Sequence, residues 1–178
     1  MQSALKARGI RLAVFDVDGV LTDGRLPYGD AGEVMKTFDV RDGLGMKLLQ
    51  DSGVALAIIT SRRADGLRLR AQDLGIRHLQ QGVADKRAAF NTLLAELGLA
   101  AAAAAFIGDD LVDLPVMTQC GFAVTVADAP AVLKRHADYV TRAPGGRGAA
   151  REFCEIIMHS QGSLQRQAAR FLAGAAPH

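Results

Sequence analysis

At 178 residues, with 49% hydrophobic and 22% charged positions, the chain is long enough to bury one sizeable core and has the make-up of a folded globular protein, not a disordered one. A net charge of +2 gives no electrostatic support for nucleic-acid binding, and no apolar run approaches the ~20 residues that span a bilayer. No signal-peptide pattern precedes the first apolar run, Cys120 and Cys154 lack metal-type spacing, and His78, His136, His159 and His178 are scattered. A cytoplasmic protein with two free thiols and no histidine-based metal site is therefore expected.

In chain order, residues 1–10 lead into an apolar run at 11–15, and further short runs follow at 54–59, 77–79, 103–107, 122–124 and 139–140. Longer segments of helical period separate them. That alternation predicts an α/β fold, a doubly wound parallel sheet with helices on both faces, in one domain spanning residues 1–178.

Asp16 and Asp18 follow the first run, where a buried parallel strand opens at its C-terminal edge, the edge at which open α/β sheets bind ligands. Side chains two apart in extended chain point the same way, so both carboxylates can converge on one reacting group. Close like charges raise each other's pKa unless a cation relieves them; a hard divalent ion fits, and magnesium suits phosphate chemistry best. Taken alone, Asp16-Val17-Asp18-Gly19 reads better as a strand-ending turn with solvated acids.

Residues 21–39 break the rhythm, because Gly24, Pro27, Tyr28, Gly29, Asp30 and Gly32 interrupt the apolar positions; a β-hairpin flap projecting from the sheet is predicted. Thr60-Ser61-Arg62 follows the next run and precedes a helical stripe of Ala64, Leu67, Ala71 and Leu74, ended by Gly75. Hydroxyls and N–H groups at a helix mouth make a phosphate cradle. A plain N-cap by Thr60 or Ser61 explains these residues equally well.

Lys86 opens a further helix, striped by Phe90, Leu93, Leu94 and Leu97, with Asp85 as N-cap and Gly98 as terminator. Its charge opposes the helix dipole and is better explained by an anion that it meets, with a solvated surface lysine as an even alternative. The alanine-rich stretch 99–105 obscures the next strand boundary, because alanine favours helix. Gly108-Asp109-Asp110-Leu111-Val112-Asp113 then puts three carboxylates on one loop and helical turn, more than capping requires, as the second half of an acidic metal site. A Pro144-Gly145-Gly146-Arg147-Gly148 loop leads to a last helix striped by Ala150, Phe153 and Ile157. The tail, 163–178, has Arg166 and Arg170 beside Phe171 and Leu172 and suggests a partner-binding arm.

In this order, the sets at Asp16/Asp18, Thr60, Lys86 and Asp109/Asp110 resemble the four signature motifs of the haloacid dehalogenase superfamily. The longer string Asp16-Val17-Asp18-Gly19-Val20-Leu21-Thr22-Asp23-Gly24, with Phe38-Asp39-Val40-Arg41-Asp42-Gly43 and the segment from Pro144 to Glu152, is similar to a narrower group, the 3-deoxy-D-manno-octulosonate (KDO) 8-phosphate phosphatases.

The resemblance implies a magnesium-dependent phosphomonoesterase that acts on a sugar-acid phosphate, KDO 8-phosphate, through an aspartyl-phosphate. Asp16 would be nucleophile and metal ligand, Asp18 the general acid and base with its backbone carbonyl on the metal, and Asp109 the second carboxylate ligand. Asp110 would support the site, and Asp113 would orient Lys86 or a metal-bound water. Thr60, the amides around Ser61, and Lys86 would hold the phosphate, and Arg62 would reach the sugar-acid carboxylate, with Arg41 and residues 145–151 near the entrance. The sequence departs from the family pattern at Ser61, where many relatives have glycine.

The residues between Asp18 and Thr60 are used up by the flap, one helix and one strand, and those between Thr60 and Lys86 leave no room for a cap domain either. Neighbouring subunits are expected to cover the site, and the resemblance implies a homotetramer with no nucleic-acid or membrane partner. The rivals are a receiver-type signalling domain, whose acid pair and acceptor come in the reverse order, a catalytically idle oligomerisation module, and a phosphatase of another sugar or nonulosonate phosphate.

Overall fold

The computed structural model describes residues 2–30 and 32–174; the expectations that touch Ala31 in the flap and 175–178 in the tail lie outside the described residues. In chain order the first elements are α1 (Gln2–Ala7), β1 (Leu12–Phe15), β2 (Tyr28–Gly29), β3 (Gly32–Glu33), α2 (Val40–Asp51), β4 (Ala55–Thr60), α3 (Asp65–Asp73) and β5 (His78–Gln81). They continue with α4 (Lys86–Leu97), β6 (Ala104–Gly108), α5 (Leu114–Met117), β7 (Phe122–Thr125), α6 (Ala131–His136), β8 (Tyr139–Val140), α7 (Ala149–Ser160) and α8 (Leu164–Leu172).

A six-stranded parallel sheet runs in the order β5-β4-β1-β6-β7-β8. Its central strand β1 is buried along its whole length and sets Phe15 opposite Ile58 of β4 and Ile107 of β6. Burial on both faces is why these strands read as continuous apolar runs without alternation. From β1 the chain builds outward through β4 and β5, then returns through α4 to lay β6, β7 and β8 on the other side. The strand order therefore reverses between β1 and β6, the place where such sheets open a crevice for ligands.

The helices form two sets. α1, α2 and α7 pack together, with α3 against α2 where Gly43 faces the Arg70 guanidinium; α4, α5 and α6 make the other set. The α7 stripe foreseen at Ala150, Phe153 and Ile157 is fully buried, and Phe153 meets Phe15 edge-on at 5.2 Å between ring centroids. Such a pair contributes ~0.5–1.5 kcal/mol beyond the area that it buries. α4 starts and stops as its sequence indicates: Asp85 accepts from Ala88 N at 3.0 Å, and Gly98 ends the helix in the left-handed region at φ 61°.

Three local features sharpen the sequence reading. A short helix, α1, precedes the first strand, where the sequence reading ran straight into it. The alanine stretch forms a 3-10 turn at Ala101–Ala103 and becomes strand at Ala104, because hydrogen-bonding partners on both sides override alanine's helix preference. The start of that strand is set by Arg11 N donating to Ala103 O at 2.8 Å. The hairpin in the flap is small, with Tyr28 opposite Glu33 and Gly29 opposite Gly32. In the tail, α8 is held to the body by an ion pair from Arg170 Nη1 to Asp51 Oδ2 at 2.7 Å.

Cys120 and Cys154 are both free, and burial pushes the Cys120 thiol up to about 12 and that of Cys154 well above the ordinary range, so neither is poised as a nucleophile. Among the described residues, no helix is long and apolar enough to cross a membrane.

Candidate active site

Asp16 stands one residue past β1, its backbone N–H donating to Ile107 O of β6 at 3.1 Å, and Asp109 stands one residue past β6. The reversal of strand order thus places the two carboxylates side by side at the carboxyl edge of the sheet. Gly19 makes this approach feasible. Its φ of 89° suits glycine, and a Cβ there would collide with the Asp109 carboxylate.

Lys86, the first residue of α4, sends its ammonium into this cluster and is almost completely buried. Its Nζ lies 2.8 Å from Asp16 Oδ1 and 2.7 Å from Asp113 Oδ1. The surface-lysine alternative is thereby excluded, and the expectation that Asp113 orients Lys86 agrees with this contact. Burial opposes the charge on Lys86, but Asp16 and Asp113 outweigh it and hold its pKa above the ordinary value.

Asp113 is fully buried and does more than orient Lys86. Its Oδ2 accepts from Asp109 N at 2.9 Å and from Asp110 N at 3.3 Å, fixing the Gly-Asp-Asp turn from within. Asp110, by contrast, is exposed and accepts from Leu111 N at 2.7 Å as the N-cap of the 3-10 turn Leu111–Asp113. The count of three carboxylates in excess of capping needs correction: Asp110 and Asp113 form a reciprocal capping box.

Carboxylate oxygens of Asp16, Asp109 and Asp113 all lie within 4.8 Å of one another, the one such group among the described residues that could hold a metal ion. Burial, then the charge of Asp113, raises Asp16 to about 6 although Lys86 opposes the shift; burial, then Asp16 and Asp113, pushes Asp109 up to about 8. Crowded acids facing one lysine are a donor set that a hard cation would relieve, so the residues present fit magnesium, held by Asp16 and Asp109. Asp18 contributes no side-chain oxygen to this group. Its carboxylate turns the other way, into an ion pair with Lys36 from the segment after β3 and toward Arg62, whose Nε is 3.8 Å from Asp18 Oδ2. The expected convergence of both carboxylates of Asp16-Val17-Asp18 is therefore onto one cavity, not onto one ion.

That cavity, about 290 Å³, is lined by Asp16, Asp18, Thr60, Ser61, Arg62, Lys86, Asp109 and Asp110, together with Val112. Of the residues expected to do chemistry or to bind phosphate or metal, only Asp113 is absent from this lining. Thr60 is buried at the end of β4, and Thr60 Oγ1 accepts from Arg62 N at 3.4 Å. Neither Thr60 nor Ser61 caps α3, whose N-cap is Ala64, tethered through its N–H to Gln81 Oε1 at 2.8 Å. The capping alternative is thus removed, and the cradle is also not at a helix mouth: it is the loop between β4 and α3.

The other arginines go elsewhere. Arg41 is exposed and forks onto Asp39, with Nη2 2.7 Å from Oδ2, and Arg151 pairs with Glu155 at 2.6 Å along its own helix. The loop before α7 instead braces the Asp16–Asp23 turn by backbone: Gly146 N donates to Val20 O at 2.9 Å, and a Cβ on Gly145 would strike Gly19 O. Sequence reasoning missed Lys36, whose side chain is covered between Glu33 and the more distant Asp18, and the buried Asp42, whose partners lie more than a hundred residues away.

The haloacid dehalogenase-like hydrolase family model matches residues 75–152. The 3-deoxy-D-manno-octulosonate 8-phosphate phosphatase of Yersinia pestis is 51% identical over 160 residues, covering 90% of this chain and 86% of that protein. Among solved structures, the corresponding phosphatase of Moraxella catarrhalis, in complex with magnesium ion, phosphate ion and KDO, superposes with a TM-score of 0.93 at 40% identity over 96% of this chain and 98% of that one. A probable phosphatase of the YrbI family from Pseudomonas syringae gives a TM-score of 0.94 at 48% identity over 97% and 98%. With the catalytic crevice built as described and likeness of this extent, the chain belongs to the 3-deoxy-D-manno-octulosonate 8-phosphate phosphatase family of haloacid dehalogenase-like hydrolases.

Proposed function

We propose that this protein is a magnesium-dependent phosphomonoesterase that converts KDO 8-phosphate to KDO and inorganic phosphate, a step toward lipopolysaccharide precursors. The observation that carries this reading is the buried Asp16 carboxylate, held by Lys86 beside Asp109 at the reversal of strand order. A carboxylate is a competent nucleophile at neutral pH and needs no adjacent base.

In the first step an Asp16 oxygen attacks phosphorus in line. The bond from phosphorus to the sugar oxygen breaks as the Asp16–phosphorus bond forms, and the Asp18 carboxyl gives its proton to the departing oxygen. In the second step water attacks phosphorus, Asp18 takes a proton from that water, and the Asp16 carboxylate is released. Thr60 and the amides around Ser61 hold the phosphoryl oxygens, while the ammonium of Lys86 faces the charge that gathers on them. Magnesium, when bound by Asp16 and Asp109 with the backbone carbonyl of Asp18, supplies further neutralisation of that charge. Arg62, exposed at the rim, is suited to the substrate carboxylate.

The site is open on one side, and Tyr28, Val34, Met35 and Val40 in and after the flap are all more than half exposed. Apolar exposure of this kind supports association of flaps in a homotetramer that closes the site, with the protein acting in the cytoplasm. Asp16→Asn is expected to lower turnover of KDO 8-phosphate by ~10³-fold or more, because the nucleophile itself is removed. Near-normal turnover in that variant defeats the assignment, and a panel of other sugar-acid phosphates decides the substrate.

A further inference from the structure

The buried ammonium of Lys36 is unexplained by the signature motifs. Its side chain is only 3% exposed, yet it comes from the segment that follows the flap hairpin, and it lies between two carboxylates, Asp18 Oδ1 and Glu33 Oε1, the latter at 2.7 Å. The Glu33 oxygen is buried, and the ammonium of Lys36 at 2.7 Å is its charged partner. A lysine is put in so dry a place only against charges that compensate it. Here one of those charges is the carboxylate that must both give and take a proton.

We infer that Lys36 is a positioning residue for Asp18, through which the flap sets the aim of the catalytic acid and base; the inference rests on the phosphatase reading above. Asp18 sits at the cavity edge with its side chain 20% exposed, free to rotate unless restrained. Arg62, 45% exposed and 3.8 Å away, is a loose partner. Lys36 is the firm one, and Glu33 at the end of β3 fixes Lys36 in turn. With Oδ1 occupied by the ammonium, the transferable proton belongs on Oδ2, the oxygen on the Arg62 side. The ammonium keeps its protons throughout: the proton moves from Asp18 to the sugar oxygen in the first step and from water to Asp18 in the second.

A residue that acts only through the catalytic acid matters where the leaving group needs a proton. Lys36→Met is therefore expected to lower kcat on KDO 8-phosphate by ~10²-fold with KM little changed, since general acid catalysis contributes at that scale. Because the aspartyl-phosphate from either ester is hydrolysed with Asp18 as base, the comparison is made on the first step: the single-turnover burst of p-nitrophenolate from p-nitrophenyl phosphate, whose phenolate leaves without protonation, is expected to slow by less than about threefold. Lys36→Arg, which keeps the charge, should recover most of the loss. In a double-mutant cycle, Lys36→Met added to Asp18→Asn should cost little more than Asp18→Asn alone. Equal first-step losses on both esters, a rise in KM without a fall in kcat, or additive losses in the cycle would each overturn the inference. A wild-type protein inert toward both esters would instead defeat the phosphatase reading.

Discussion

Asp42 of α2 caps α7 across 109 residues of chain: Asp42 Oδ1 accepts from Arg151 N at 2.7 Å, and Oδ2 accepts from Gly148 N at 3.3 Å. Gly148, the N-cap of α7, has no side chain to do this for itself. The buried carboxylate thereby ties the start of α7, and the Gly145-Gly146 loop before it, to the helix that follows the flap. α2 and α7 are close enough that a Cβ on Gly45 would press on Arg151.

Replacing Asp42 by alanine orphans both N–H groups inside the α2–α7 contact. The expected loss is ~1–3 kcal/mol, the cost of a helix cap together with unsatisfied buried donors. Asp42→Asn should recover only part of it, because an amide offers one oxygen where two are used. Urea unfolding monitored by circular dichroism checks this, and an unchanged midpoint in Asp42→Ala would show that the cap is idle.

Asp113 and Asp110 are neighbours in the sequence motif with different work to do, and mutation should separate them. Asp113→Asn breaks a buried ion pair with Lys86 and sets an amide NH₂ against the Asp109 and Asp110 N–H groups. A loss of ~3–5 kcal/mol is expected, as for other severed buried pairs, along with a severe fall in turnover. Asp110→Ala removes an exposed cap and should cost about 1 kcal/mol. Thermal melts and steady-state rates of the two variants test the ranking; equal effects would contradict it.

The reach of the sequence in this protein follows the range of the interactions. Asp16, Lys86 and Asp109 could be read because each adjoins an element with its own local signal, an apolar run or a capped helix, and parallel topology brings such ends to one edge. Lys36 and Asp42 could not, since a lysine in the loop after a hairpin and an acid in the first turn of a helix look like ordinary surface charges until their partners are placed. Thr60 falls between these cases. Its position after β4 was legible, but the start of α3 depends on Gln81 from another strand, so the helix mouth was placed too early. The alanine stretch obscures its strand boundary for a related reason, because what makes it a strand is supplied by β1 and β7.

Metal binding should release protons. Asp109, pushed up to about 8, keeps its proton near neutrality in the metal-free site, Asp16, raised to about 6, keeps its proton only on the acid side of neutrality, and magnesium takes carboxylates only in their ionised form. The sign follows from the unfolded value of 3.8 for each: between roughly pH 4 and pH 8 the metal-free native state binds more protons than the unfolded chain, so its stability falls as pH rises. The rise in Tm on adding magnesium should therefore grow from about pH 6 to about pH 8. Calorimetric titration in two buffers of different ionisation enthalpy should register the released protons, and pH-independent binding without release would sink the expectation.

The acid limb of stability should depend on Glu152. This residue ties β8 and the loop after it to α7: Oε1 accepts from Tyr139 OH at 2.6 Å, and Oε2 accepts from Arg142 N at 3.0 Å and Ala143 N at 3.2 Å. Burial raises its pKa, but the hydrogen bonds from Tyr139, Ala143 and Arg142 outweigh burial and hold it below the ordinary 4.5. A carboxylate with a depressed folded pKa stabilises the native state fully above its unfolded value, and that contribution is lost as pH falls through the folded one. Glu152→Gln removes this ionisation, so the variant should be less stable than the parent at neutral pH, with the difference narrowing below about pH 4.5. Denaturant midpoints at pH 7 and pH 4 compare the two; a gap that stays constant, or widens in acid, would mean that the Glu152 charge contributes nothing to holding β8 on α7.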